Sequence, residues 1–283
     1  VTFTTPPPPV DLARAVPGMG AHVRTTVRLH PRPGSPGRHE SHVGGPLLWP
    51  ASEPWPQCEA SDCDQYEGIP MVAVGQLTAA DFPEIAFPRG TDLVQILWCV
   101  GYHCCPQHAP CRVVWRRAAE VTDVLEAPPV PDLEGELPGF YDGAIPRPCV
   151  LHPERVTEYP WHQELPADLR DRLWAWDEGK GLYDEVATAP GFKVGGSMDW
   201  SVSDMARLEC VTCAAPTVLL LQADSYEAAG GRWQPLEERH LVFGTPEYER
   251  AEHPTGMELA RGGHGGFFVC SADPEHPVLF HSH

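Results

Sequence analysis

The sequence predicts a β-rich α+β fold in which two sheet-containing halves repeat one another in a pseudo-twofold arrangement. Three observations carry that expectation. An ordered series of blocks occurs twice, short apolar and β-branched runs of strand length are spread through both halves, and one segment has the spacing of an amphipathic helix.

The blocks begin with Val43-Gly44-Gly45-Pro46-Leu47-Leu48-Trp49, followed by Cys58 and Cys63, an apolar run containing Gln76, and then Leu93-Val94-Gln95-Ile96-Leu97-Trp98-Cys99 with Cys105. The same order returns as Val194-Gly195-Gly196-Ser197-Met198-Asp199-Trp200, Cys210 and Cys213, a run containing Gln222, and Gly266-Phe267-Phe268-Val269-Cys270 with His276. Gly44 and Trp49 precede Gly195 and Trp200 by 151 positions (195 − 44 and 200 − 49), and Cys58 precedes Cys210 by 152. The interval is 146 for Gln76 to Gln222 and 171 for both Cys99 to Cys270 and Cys105 to His276. A longer insertion before the last block accounts for the interval of 171. A repeat kept in order is a fold-level signal, and two copies suit a paired arrangement better than a solenoid.

Taken in chain order, residues 1–37 are dense in Pro and Gly and are expected to form an extended arm with a short helix at 11–16. The first repeat is placed at 38–127, with strands at 71–77, 93–100 and 112–116 and a capped helical turn at 78–82. Residues 128–148, rich in Pro, Gly and acidic side chains, form the connector. The second repeat, 149–283, opens with a helix at 166–178. Leu169, Leu173 and Trp176 there fall at i, i+4 and i+7, and Gly179 follows the end. Strands at 217–223, 241–244, 266–270 and 278–281 complete it, with glycine-marked loops at 228–232 and 260–266. The end, His281-Ser282-His283, is expected to fray.

Composition limits the function. A 283-residue chain that is 42% hydrophobic and 21% charged has the make-up of a folded globular protein. Its formal charge of −19 argues against nucleic acid as the main partner, since phosphate binding needs clustered Lys and Arg. An acidic surface favours a basic protein partner instead. No apolar run approaches the length of a membrane-spanning helix. Residues 1–10 carry neither the charged nor the apolar region of a secretory signal, so the expectation is a cytoplasmic protein that is not membrane-integral.

Ten cysteines are the chemically richest feature. Close pairs in a reducing compartment suit metal, with disulfides as the rival reading. A structural zinc wants four ligands in a tetrahedron, supplied by short-spaced pairs. Cys210-x2-Cys213 and Cys270-x5-His276 make one such set. Cys58-x4-Cys63 with Cys99 and Cys105 makes the other, with Cys104, His108 and Cys111 open as alternatives to Cys105. Two structural zinc ions are therefore expected, both in closed sites without a place for substrate. Ions of this kind contribute apparent binding energies of about 10 to 16 kcal/mol to the folding of small metal-dependent domains. Cys149 has no counterpart in the repeat and reads as a buried thiol.

The Gly-Gly-x-x-x-Trp elements read as turns that tuck Trp49 and Trp200 into the core. Gln76 and Gln222 read as side chains hydrogen-bonded to backbone. The sequence carries no nucleophile elbow, P-loop, dinucleotide fingerprint or His-Glu-x-x-His motif. Asp199, Asp204 and His264 are acid-base residues that nothing in the spacing draws together.

Val43 to Pro50, Val74-Gly75-Gln76-Leu77, Val194-Gly195-Gly196 with Trp200, and the glycine-rich approach to Val269 resemble the YwqG-like (DUF1963) family, in its cysteine-rich actinobacterial branch. The resemblance spans about 44–269 and implies a β-rich fold with an internal pseudo-twofold. The family has no established reaction, and the position of some members beside secreted-toxin systems implies immunity-like or regulatory protein binding. Shorter members lack most of the cysteines, so the zinc expectation rests on this chain alone. The reading is a zinc-stabilised, non-enzymatic protein-binding adaptor. The alternatives are an enzyme with a cleft between the repeats and a metal-sensing or metal-handling protein.

Overall fold

Continuous apolar runs in this chain become strands covered on both faces. β5 (Leu93–Trp98) and β11 (His264–Cys270) are buried at every position, as uninterrupted rather than alternating patterns require. The structure, a computed structural model, describes residues 2–59, 68–100, 110–131, 142–201, 203–227, 231–259 and 262–282.

The other strands are β1 (Arg24–Arg28), β2 (Arg32–Pro33), β3 (His42–Val43), β4 (Val72–Thr78), β6 (Cys111–Arg116), β7 (Cys149–Val150), β8 (Glu154–Glu158), β9 (Lys193–Val194), β10 (Thr217–Asp224) and β12 (Leu279–Ser282). They build two six-stranded antiparallel sheets, ordered β2-β7-β3-β4-β5-β6 and β8-β1-β9-β10-β11-β12. With four α-helices among the described residues, this is a β-rich α+β protein. β1 lies in the arm before the first block yet pairs with β8 and β9, while β7 reaches back to pair with β2 and β3. Each sheet thus takes one strand from the other half of the chain, β1 in one and β7 in the other.

One apolar core joins the sheets, with Val74, Val94 and Ile96 on one side and Val27, Val194, Leu221 and Phe267 on the other. The Trp98 ring meets Phe280 edge-on at 5.6 Å, and its Nε1 donates to the Ala144 carbonyl at 3.1 Å.

Details recur at matched positions. A register shift falls between Ala73 and Gly75 in β4 and between Leu219 and Leu221 in β10. His42 and Val43 pair with Gln76 and Gly75, and Lys193 and Val194 pair with Gln222 and Leu221. Gly44, Gly45, Gly195 and Gly196 all have positive φ, between 63° and 73°. A Cβ at Gly44 would stand 2.5 Å from the Arg147 carbonyl oxygen, and one at Gly196 would collide with the Glu158 carboxylate. These turns deliver Trp49 and Trp200 to buried positions. Gln76 Oε1 accepts from Leu48 N–H at 2.9 Å, and Gln222 Oε1 accepts from Asp199 N–H at 3.1 Å. Their amide nitrogens donate to the carbonyls of Glu40 at 3.1 Å and Gly191 at 3.0 Å. Both glutamines therefore lock a Gly-Gly turn to its strand, as expected of backbone-bonded side chains.

The expected amphipathic helix is α2 (Ala167–Asp177), with Leu169 and Leu173 buried and Glu178 turning out of it at φ 52°. It packs with α1 (Leu12–Ala15), capped by Asp11, and α3 (Leu182–Val186) around Val16, Met19 and Tyr183. The buried Asp177 carboxylate accepts N–H bonds from Gly181, Leu182 and Tyr183, which ties α2 to the start of α3.

Three expectations are corrected. Residues 241–244 are not a strand: Val242 and Phe243 are 66% and 83% exposed in a turn before α4 (Pro246–Glu252), whose cap is Thr245. A strand needs a sheet neighbour, and Thr245-Pro246 instead starts a helix. His281 and Ser282 do not fray, because β12 pairs with β11 and buries both. β11 also begins at His264, inside the stretch read as a loop. Among the described residues no helix is long and apolar enough to cross a membrane.

Candidate metal centre

The second cysteine pair sits on a tight hairpin closed by the bridge between Glu209 and Pro216. Cys210 N–H donates to the Ala215 carbonyl at 2.9 Å, and Ala214 N–H returns to the Cys210 carbonyl at 2.8 Å. Closing so short a loop forces Ala214 to φ 55°, an uncommon conformation for a residue with a Cβ. The fold aims Thr212 N–H at Cys210 Sγ at 3.4 Å.

Cys270 is the last residue of β11, and the loop 271–275 turns back immediately. Ser271 N–H donates to Pro216, Glu275 N–H to the Asp273 carboxylate, and His276 N–H to the Asp273 carbonyl. These bonds return the His276 ring to the hairpin. Its Nδ1 lies 3.4 Å from Cys210 Sγ, while Cys213 Sγ lies 3.5 Å from Cys270 Sγ. Its Nε2 faces the Asp273 carboxylate at 3.8 Å, the side from which an acidic group orients a ligating imidazole.

The donor atoms of Cys210, Cys213, Cys270 and His276 all lie within 4.8 Å of one another. Sulfurs about 2.3 Å from a tetrahedral ion stand about 3.8 Å apart, which is the scale of these contacts. The four residues form a candidate metal site compatible with zinc. Burial acts to raise the Cys210 thiol, but hydrogen bonds from the N–H groups of Thr212 and Cys213, and from Cys270 and Cys213, outweigh it and hold it at about 6. Burial likewise opposes ionisation of Cys270, and bonds from the Asp273 backbone, His276 and the Ala272 backbone bring its thiol down. Cys213 moves up: the Ala215 backbone bond lowers it, and hydrogen bonding to Cys270 with other contributions raises it more. His276 is raised, chiefly by its bond to Cys270. These shifts favour the thiolate at Cys210 and Cys270.

The first cluster is described at two of its four expected ligands. Cys58 follows Gln57, which forms an antiparallel bridge with Pro70. Its N–H donates to Ile69 at 2.8 Å, and Gly68 N–H returns to its carbonyl at 3.0 Å. This is the pattern around Cys210, with Gly68 at φ 79° where Ala214 stands. Cys99 follows β5 as Cys270 ends β11, and both Cys58 and Cys99 are buried. Cys63 and Cys105, with the alternatives Cys104 and His108, lie outside the described residues. Cys111 opens β6 opposite Trp98, and burial pushes its thiol up to about 12. Cys149 is a buried thiol as expected, also pushed up to about 12 by burial, 3.4 Å from the Pro254 carbonyl.

Of the acid-base residues, His264 Nε2 contacts the backbone carbonyl of Asp199, and Asp204 accepts from Gln163. A second polar group carries no sequence signal: the fully buried Arg28 donates to Thr5 Oγ1, Trp233 O and Glu227 O. His30 Nε2 meets Glu154 Oε2 at 3.0 Å, and its Nδ1 stands 3.9 Å from Glu227 Oε2. Burial pushes His30 down to about 4 and Glu227 up to about 7. The members are too far apart in the chain for any spacing motif to reveal them.

No protein-family model matches the chain, and no curated protein matches it.

Proposed function

We propose that Cys210, Cys213, Cys270 and His276 hold a structural zinc ion, and that the chain works as a zinc-stabilised, non-enzymatic protein-binding body. The observation that carries this reading is the convergence of four soft donors within 4.8 Å. Four protein ligands close a tetrahedral site and leave no position for substrate or activated water. The ion ties the end of β11 to the hairpin before β10, fixing a surface rather than performing a reaction.

A second zinc at Cys58, Cys63, Cys99 and Cys105 extends the reading. Its support is the shared backbone bonding around Cys58 and Cys210 and the like positions of Cys99 and Cys270. Equal strand order and matched bulges support an internal duplication. The same blocks support membership of the YwqG-like family. A charge of −19 and cysteines left as free thiols favour a cytoplasmic adaptor, immunity-like or regulatory, engaging a basic partner.

The test is capture of partners by immobilised, metal-loaded protein at low salt, followed by stepwise elution with salt. A saturable basic partner that elutes as ionic strength rises is expected. Absence of any saturable partner at low salt counts against the adaptor role.

A further inference from the structure

We propose that Cys213 and Cys270 form a peroxide-reactive pair, whose oxidation to a disulfide expels the metal held by the quartet. This deepens the structural-zinc reading above and rests on it. Of the three sulfurs, Cys213 is exposed, whereas Cys210 and Cys270 are buried. Cys213 Sγ lies 3.5 Å from Cys270 Sγ. The sulfur that a solute meets first therefore has a second sulfur beside it, placed to resolve an oxidised Cys213 as a disulfide. Cys213 also rides on the short loop of the hairpin, so closing the remaining gap moves a loop and leaves β11 in place.

The chemistry balances with hydrogen peroxide as oxidant. Cys213 sulfur attacks a peroxide oxygen, an S–O bond forms, the O–O bond breaks, and the departing hydroxide takes a proton to become water. Cys270 sulfur then attacks Cys213 sulfur, the S–S bond forms, the S–O bond breaks, and the hydroxyl leaves with a proton as a second water. The two cysteines together lose two electrons and peroxide gains them. Cys210 and His276 alone are too few for a closed four-ligand site, so the ion leaves. The loop 271–275 then loses its clamp, and with it the fixed position from which Pro274 accepts a hydrogen bond from Trp115.

The experiment treats untagged, metal-loaded protein with hydrogen peroxide without reductant. Released metal is read with a chromogenic chelator, and thiols are quenched by alkylation for peptide mass mapping. The expected result is metal release in step with a Cys213–Cys270 cross-linked peptide, both reversed by dithiothreitol and added zinc. Release with a Cys210–Cys213 cross-link, release with sulfinic acid and no cross-link, or retained metal under peroxide that oxidises other thiols would each overturn the proposal. Protein that holds no metal before treatment would defeat the zinc reading separately. The peptide map then decides the pair by itself, with a Cys213–Cys270 cross-link supporting it and any other product overturning it.

Discussion

Trp115 donates its indole N–H to the carbonyl oxygen of Pro274 at 3.0 Å. Pro274 lies between Cys270 and His276, so the loop that carries two ligands of the second half is fastened to the edge strand of the first sheet. Phe87 packs edge-on against the same indole at 5.5 Å. Chelating the metal is expected to shift Trp115 fluorescence, and Trp115→Phe is expected to remove that component of the difference spectrum. The variant should cost about 1 kcal/mol, the usual net worth of one hydrogen bond, in urea unfolding.

Lys193 and Glu158 form a fully buried ion pair at 2.8 Å. The Glu158 carboxylate also accepts from Ala189 N–H at 2.9 Å and Ser197 N–H at 2.6 Å, so it braces the second Gly-Gly turn. Lys193→Met leaves that carboxylate buried without its cation. A loss of about 3 to 5 kcal/mol is expected from denaturant titration, and an effect below about 1 kcal/mol would refute the stabilising role given to the pair.

Gln76 and Gln222 each hold a turn by side-chain bonds to backbone. Replacing either with Leu removes the acceptor for an N–H, at Leu48 or Asp199, and the donor to a carbonyl, at Glu40 or Gly191, and both the Leu48 N–H and the Gly191 carbonyl are buried. Gln76→Leu also breaks the 2.9 Å bond from Gln95 Nε2. Each substitution should cost about 2 to 4 kcal/mol, with Gln76→Leu the worse, measured by the same titration.

The Arg28, His30 and Glu227 group gives a pH signature. Burial holds Glu227 at about 7 against an ordinary 4.5, so between those values the folded state binds more protons and stability falls as pH rises. His30, pushed by burial to about 4 from 6.5, acts in the opposite sense: the unfolded state binds more protons there, and stability rises with pH. The two slopes largely cancel in the wild type. Glu227→Gln removes only the falling one, so its stability relative to wild type should grow by up to about 1.4 kcal/mol per pH unit between 4.5 and 7. A difference that stays flat across that window, in urea melts at several pH values, would rule out the shifted carboxyl.

Sequence reasoning reached the candidate metal residues because Cys210-x2-Cys213 and Cys270-x5-His276 are local patterns whose chemistry fixes their spacing. It also reached α2, where three apolar residues at helical intervals leave little choice. It missed what depends on distant partners. β1, with the sequence Arg24-Thr25-Thr26-Val27-Arg28, looks unremarkable among prolines, and only pairing with β8 and β9 buries Val27. The run at 241–244 erred the other way, since Leu241, Val242 and Phe243 have strand character but no sheet edge to join. The Arg28 and Glu227 contact joins residues of the arm and a late loop, which no local pattern encodes.

The most direct test of the structural-zinc reading is the zinc content of untagged protein and of its Cys270→Ala variant, by elemental analysis after exhaustive dialysis. The account predicts two tightly held zinc ions per wild-type chain and the loss of one in the variant, with Cys58, Cys63, Cys99 and Cys105 keeping the other. Wild-type protein without stoichiometric zinc, or a variant that retains the full wild-type amount, would contradict it.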